Sequence, residues 1–143
     1  MSADLDLLVF RNIHQLSKYL DEKIMEIERK LGEVSALLEN VKAKRARYER
    51  IRKMIEEISG AGSGAALSTT LNISGLRVII DPKPIEEYEI LENVYKALSD
   101  KLNVLKKIRE VVVNYLEKYL DEEALNVIVE MRADIPVRIL IKT

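Results

Sequence analysis

The sequence predicts an α+β protein, in which a long helical coiled-coil hairpin carries a small antiparallel β-sheet, in the order helix, β-hairpin, helix, β-hairpin. Two long segments repeat apolar residues in steps of three and four, as paired helices require. Two pairs of short β-rich runs are each separated by turn-forming residues. No proline falls in the interior of a predicted helical segment, and only one of the five glycines does. With 143 residues, we expect a single domain over residues 1–143.

The first predicted element is a coiled-coil helix over residues 3–58. The first 58 residues contain no proline and one glycine, Gly32. Ser2 or Asp4 is the expected N-cap, and Ser59-Gly60 is the expected end, because these residue types are typical of helix termini.

This helix is too long for a domain of its own size. At 1.5 Å per residue it would extend roughly 80 Å, so its apolar side needs a partner, and a second copy of the chain is the simplest one. We name the apolar residues of this side the helix seam. The expected oligomer interface along the helix seam consists of Leu5, Leu8, Ile13, Leu20, Ile24, Ile27 and Leu31.

The small residues after the first helix predict a flexible linker over residues 59–66, followed by a β-hairpin over residues 67–81. Ser74-Gly75 would form its turn, and a single bulged strand is the alternative. A second helix is expected over residues 84–120, because Asp81 is able to cap it and a proline suits its first turn.

The C-terminal residues 125–143 predict a second β-hairpin. Two β-branched runs, 125–131 and 136–143, are separated by residues 132–135. Residues 121–131 instead fit a continuation of the second helix, because short apolar runs suit both structures.

The region 42–53 has seven basic residues and one acidic residue, and we name it the basic segment. One interpretation is a helical site for nucleic-acid phosphates, with Tyr48 available for stacking on a base. The other is pairing within the chain or between subunits, because an antiparallel second helix would bring Glu86, Glu87, Glu89 and Glu92 alongside; an anionic lipid and an acidic protein surface are further alternatives. The candidate nucleic-acid-binding residues are Lys42, Lys44, Arg45, Arg47, Arg50, Arg52 and Lys53.

The composition excludes several kinds of chemistry. The chain has no cysteine, so thiolate catalysis, cysteine-ligated metals and disulfides are excluded. His14 is its one histidine, and no serine or carboxylate pair accompanies it in a catalytic spacing. We therefore expect no catalytic residue, no metal, no cofactor and no enzyme activity. Without a long apolar run or a signal peptide, we expect a cytoplasmic protein with no membrane partner.

A helix, a β-hairpin and a returning helix, with GAGSG after the first helix, resemble the subunits of the prefoldin chaperones over about residues 10–120. The chain departs from prefoldin in its last residues, 125–131 and 136–143, which read as strands where prefoldin subunits end in a coiled-coil helix. The resemblance implies a holdase chaperone with clients between helical arms.

These observations predict a non-enzymatic, homo-oligomeric scaffold or assembly protein that acts through protein–protein contacts. A nucleic-acid-binding protein that uses the basic segment is the first alternative, and the holdase chaperone is the second. The charge-rich, cysteine-free composition is also typical of thermophile proteins.

Overall fold

The structure, a computed structural model, describes residues 5–59, 69–80, 82–120 and 126–142. The chain is a mixture of helices and small antiparallel sheets. It divides into two compact units: unit 1 consists of Met1–Leu31 and Ala97–Thr143, and unit 2 of Gly32–Lys96. The elements are β1 (Leu5–Phe10), α1 (Ile13–Ser59), β2 (Thr69–Ile73), β3 (Leu76–Ile80), α2 (Pro84–Val111), a π-helical turn (Val112–Leu116), a helical turn (Glu117–Tyr119), β4 (Asn126–Arg132) and β5 (Ile135–Lys142).

The prediction of a helix from residue 3 is wrong for the first described residues, because Leu5–Phe10 form strand β1. This strand pairs antiparallel with β4, with Leu7 opposite Glu130. Its side chains alternate: Leu8 and Phe10 pack against the core, whereas Leu7 and Val9 are exposed. These residues therefore follow the two-residue spacing of a strand rather than the three- and four-residue spacing of a helix, because β4 provides a strand partner.

The N-terminus of α1 is capped eight residues or more after the predicted caps. Asn12 Oδ1 accepts a hydrogen bond from the Gln15 backbone N–H (2.9 Å), and Gln15 Oε1 accepts one from the Arg11 N–H (3.0 Å). This reciprocal arrangement satisfies backbone donors that the first helical turn leaves unpaired. It fixes the start of α1 at Ile13.

Unit 1 contains a three-stranded sheet in the order β1–β4–β5, with all pairs antiparallel. One face of this sheet supplies Val127, Val129 and Met131 to the core, which the N-terminal part of α1 and the C-terminal part of α2 complete. Residues 126–132 are therefore a strand, as the hairpin interpretation predicted, and the helical alternative is wrong for them.

The second helix follows a helical course from Pro84 to Tyr119, close to its predicted range. Pro84 occupies the first helical position, and Glu86 Oε1 accepts a hydrogen bond from the Lys83 N–H at 3.2 Å. The predicted cap, Asp81, lies outside the described residues. The π-helical turn has a sequence cause: Val112, Leu116 and Leu120 recur in steps of four, and a wider turn keeps all three against the core.

Unit 2 contains the predicted hairpin, formed by β2 and β3 around Ser74-Gly75. Both turn residues have positive φ, 49° and 82°, as a two-residue hairpin turn demands. The predicted linker lies outside the described residues, apart from Ser59 at the end of α1.

Candidate interaction surfaces

The helix seam is mostly covered within unit 1. Ile13, Leu20, Ile24 and Ile27 are buried in the core, and Leu8 and Leu31 pack against it. Only Leu5 of the seven predicted interface residues is largely exposed. An uncovered helix seam is predicted for a helix that has no partner within its own chain. In the structure, β4, β5 and α2 are that partner.

Side-chain contacts inside unit 1 join α1 to the second helix. Asp21 forms an ion pair with Arg109, and one helical turn before it Ser17 hydrogen-bonds to the Glu117 carboxylate. The His14 Nδ1 atom lies 3.6 Å from the same carboxylate.

The Ser17, His14 and Glu117 cluster is not arranged as a nucleophile and base. The Ser17 hydroxyl lies within hydrogen-bond distance of the His14 carbonyl oxygen (3.0 Å) and of Glu117, not of the imidazole. A general base must reach the proton it removes. Within the described residues, no three acidic or histidine side chains gather as a metal site would need.

Two grooves in unit 1 bring together no catalytic pair. The larger, of about 820 Å³, has Lys106, Lys107 and Glu110 among its lining residues. The smaller, of about 350 Å³, lies between the end of α2 and β5 and is mainly aliphatic, with Arg138 at its margin.

The basic segment lies on α1 in unit 2, and three of its seven cations have partners within the chain. Lys42 pairs with Glu39 at 3.5 Å and Arg52 with Glu49 at 3.4 Å. Arg45 lies over the ring of Tyr88. The other four, which we name the basic row, are exposed and form no ion pair among the residues that the structure describes: Lys44, Arg47, Arg50 and Lys53.

Among the residues that the structure describes, the acidic first turns of α2 form no ion pair with the basic row. Glu92 pairs with Lys96 at 3.2 Å, and Glu86 accepts a hydrogen bond from the Lys83 backbone. Across the described part of unit 2, no ion pair joins the basic segment to these glutamates; its contact with α2 is the Arg45–Tyr88 pair. In the described part of unit 2, the contact between the basic segment and α2 thus involves an aromatic ring rather than a carboxylate.

The β2–β3 hairpin has one aliphatic face, which we name the hairpin face. The antiparallel register places Ile73 opposite Leu76 and Leu71 opposite Val78. Side chains directly opposite each other share a face, so these four and Ile80 lie together. Four of the five are between 43% and 65% exposed, and Val78 is partly buried. Thr70, Asn72 and Arg77 occupy the opposite face together with Ile79.

The three-stranded sheet of unit 1 also has an exposed apolar side, opposite its core side, which we name the outer sheet face. Leu7 and Val9 of β1 and Leu140 of β5 are between 52% and 63% exposed, and Leu5 is similar. Ile128 lies between β1 and β5, paired with Val9 and Leu140. The Glu130–Arg138 ion pair, at 2.9 Å, lies on the same face.

Sequence reasoning missed both of these faces as interaction surfaces. The signal for the outer sheet face was the alternation of Leu5, Leu7 and Val9 with Leu8 and Phe10, which the helical interpretation overlooked. The signal for the hairpin face was at Ser74-Gly75, where the apolar residues change from odd to even positions. This change places the apolar residues of β2 opposite those of β3.

No helix within the described ranges is both long and apolar enough to cross a membrane. No protein-family model matches the chain, and neither a curated protein nor a solved structure gives a match to it.

Proposed function

We propose that the protein is a non-enzymatic scaffold or assembly protein that acts by self-association through its apolar sheet faces. The observation that carries the proposal is the hairpin face, an uncharged aliphatic surface of Leu71, Ile73, Leu76, Val78 and Ile80. A two-stranded hairpin is marginally stable in water unless its apolar side is covered. A covering partner therefore stabilises the hairpin as well as the assembly.

The apolar area of the hairpin face favours self-association through more than one face. Four half-exposed aliphatic side chains leave on the order of 300 Å² of apolar surface per copy. At about 25 cal/mol per Å², burial contributes roughly 8 kcal/mol per copy. Association costs about 4–15 kcal/mol in lost freedom of motion. The hairpin face alone supports weak association, and the outer sheet face adds a similar area.

A second copy of the chain is the partner that fits this surface best. The five aliphatic residues that define the hairpin face offer no charge or hydrogen-bonding side chain, so a partner with a matching aliphatic surface fits them best, and another hairpin face has such a surface. Two such faces would pack about 10 Å apart, like the layers of a β-sandwich. In a twofold contact each face meets itself, which requires no further complementary surface.

We also propose that α1 and the second helix pair as an antiparallel coiled coil within each unit. The Asp21–Arg109 ion pair supports this in unit 1, and the Arg45–Tyr88 contact supports it in unit 2. This pairing would leave the sheet faces, rather than the helix seam, for contacts between copies.

The molar mass in solution tests the proposal. Light scattering coupled to size exclusion, from low to high micromolar concentration, should show an oligomer for the native chain. Ile73→Glu with Leu76→Glu should shift the mass toward the monomer, because the two new charges would be opposite each other on the hairpin face. Thr70→Glu with Asn72→Glu adds the same charge to the other face and should leave the mass unchanged.

A native chain that stays monomeric at high micromolar concentration would refute self-association. If that monomer suppressed aggregation of a denatured test protein, and Ile73→Glu with Leu76→Glu removed the suppression, the holdase alternative would replace the scaffold. An oligomer unaffected by the hairpin variant would move the interface to the outer sheet face, which Val9→Glu with Leu140→Glu tests in turn.

A further inference from the structure

The basic row lies across the solvent side of α1 in unit 2. Its members follow each other in steps of three, so each lies about 60° around the helix from the last. The four cations therefore cover roughly half of the helix circumference. Val41, Arg45 and Arg52 occupy the other half, where Val41 is buried and Arg45 contacts α2.

Within the described ranges of the chain, these cations form no ion pair. Like charges three residues apart are neighbours on a helix, and each such pair destabilises it slightly. Charged residues elsewhere on α1 do form local pairs, such as Lys23 with Glu26 at 3.5 Å and Lys30 with Glu26 at 3.4 Å. The basic row thus concentrates positive charge on one side of α1, without an ion pair to any described residue.

We propose that the basic row binds the phosphate backbone of double-stranded DNA, with this part of α1 lying in the major groove. Because the cations cover half of the helix circumference, they fit a concave partner that has negative charge on two sides. The B-DNA major groove is about 12 Å wide, which admits a helix between two phosphate backbones. A flat anionic membrane would meet only one side of the row, and the major groove of duplex RNA is too narrow for a helix.

The binding would be independent of base sequence. Ala43 and Ala46 are exposed between the cations, and alanine side chains carry no group that hydrogen-bonds a base edge. Asparagine and glutamine, which read adenine, do not occur within 42–53, and in this arrangement the lysines and arginines of the basic row are engaged with phosphates rather than with base edges. Four phosphate contacts per chain then supply the affinity.

Fluorescence anisotropy with a short labelled duplex of arbitrary sequence tests the site. The native chain should bind at about 50 mM salt, and its affinity should fall on the order of 100-fold at about 200 mM, because four contacts give a salt slope of about −3.6. A second duplex of unrelated sequence should bind equally. Circular dichroism should show that every variant used is folded.

The row variant carries Lys44→Gln, Arg47→Gln, Arg50→Gln and Lys53→Gln. We expect it to lose at least about tenfold in affinity at low salt and most of its salt dependence. Its thermal stability should be unchanged or slightly higher, because like-charge repulsion is removed. The control carries Lys18→Gln, Lys106→Gln, Lys107→Gln and Lys142→Gln, four exposed cations of unit 1 with the same total charge, and should bind within about twofold of the native chain.

Three results would overturn this proposal: no binding at low salt, equal loss in the row variant and the control, or tighter row-dependent binding to duplex RNA or to phosphatidylglycerol vesicles than to DNA. None of these results bears on self-association. Likewise, a monomeric chain that binds DNA through the basic row would refute the scaffold proposal and leave the DNA site standing.

Discussion

The guanidinium of Arg45 lies over the ring of Tyr88, 5.5 Å from its centroid. In unit 2 this contact joins the basic segment of α1 to the acidic beginning of α2 through an aromatic ring rather than a carboxylate. The glutamates around Tyr88 remain outside ion pairs with the basic segment in the described residues.

A double-mutant cycle should measure this contact. We expect Arg45→Gln and Tyr88→Leu to be coupled by about 0.5–1 kcal/mol in the free energy of unfolding, the range for an exposed cation–π pair. Urea denaturation of the four proteins gives the coupling. The cycle of Arg47→Gln with Tyr88→Leu is the control and should show none; equal coupling in both cycles would mean that Tyr88 senses the general charge of α1.

The two faces of β1 should respond differently to truncation. Leu8→Ala removes a side chain packed against the core of unit 1, and we expect about 1–3 kcal/mol of destabilisation, below the range for a fully buried leucine. Leu7→Ala, on the outer sheet face, should change the stability of the isolated chain by less than about 0.5 kcal/mol. Urea denaturation at low protein concentration compares them, and similar losses would argue against the strand.

Glycine should stabilise the β4–β5 turn. Ala133 and Asp134 have φ of 51° and 62°, a region that costs residues with a Cβ about 1–2 kcal/mol. Ala133→Gly should therefore raise the free energy of unfolding by up to about 1 kcal/mol. Ala97→Gly, at an exposed position inside α2, is the same substitution and should lower it by about 1 kcal/mol. Opposite signs in thermal melts are the expected result, and a loss in both would contradict the turn geometry.

Stability at alkaline pH should depend on Tyr19. Burial raises the pKa of its phenol above the ordinary value of 10.0; Lys23 opposes this, and Asp134, Asp6 and Glu26 add to it. The pKa of the Tyr19 phenol is higher in the folded state than in the unfolded state. Its contribution to the free energy of unfolding is therefore fully present below about pH 10 and is lost as the pH rises through the folded pKa.

Tyr19→Phe isolates that effect. The ring stays beside Phe10, where the two centroids are 5.5 Å apart, while the titrating group is removed. Thermal melts of the native chain and the variant, followed from neutral to strongly alkaline pH, should show a steeper fall for the native chain above about pH 10. Parallel curves would show that the phenol titrates alike in the folded and unfolded states.

Much of the fold could be predicted from local patterns. The beginning of α2 followed from Pro84, and the two hairpins from their turn residues and β-branched runs. Local patterns failed at residues 5–10, where leucine positions satisfy helical and strand spacing alike. The deciding partner, β4, lies more than a hundred residues away in sequence. Asn12 and Gln15 carried the local cap signal that separates the two interpretations.

The candidate surfaces were harder to predict, because exposure depends on what the rest of the chain covers. The helix seam had the pattern of an interface, yet β4, β5 and α2 bury it. The basic segment is visible in the sequence as a cluster, but only the structure separates Lys42, Arg45 and Arg52, which have partners, from the basic row.

The pairing of β1 with β4 also sets an order of events during synthesis. Unit 2 is one continuous stretch, so its contacts are available as soon as residue 96 has emerged. Strand β1 is made first but has to wait for roughly 120 further residues before Leu7 meets Glu130. At a translation rate of about 5–20 residues per second, its aliphatic side chains stay unpaired for roughly 6–24 seconds. Because its two segments are separated in sequence by the whole of unit 2, unit 1 is able to complete its sheet only after unit 2 has been synthesised.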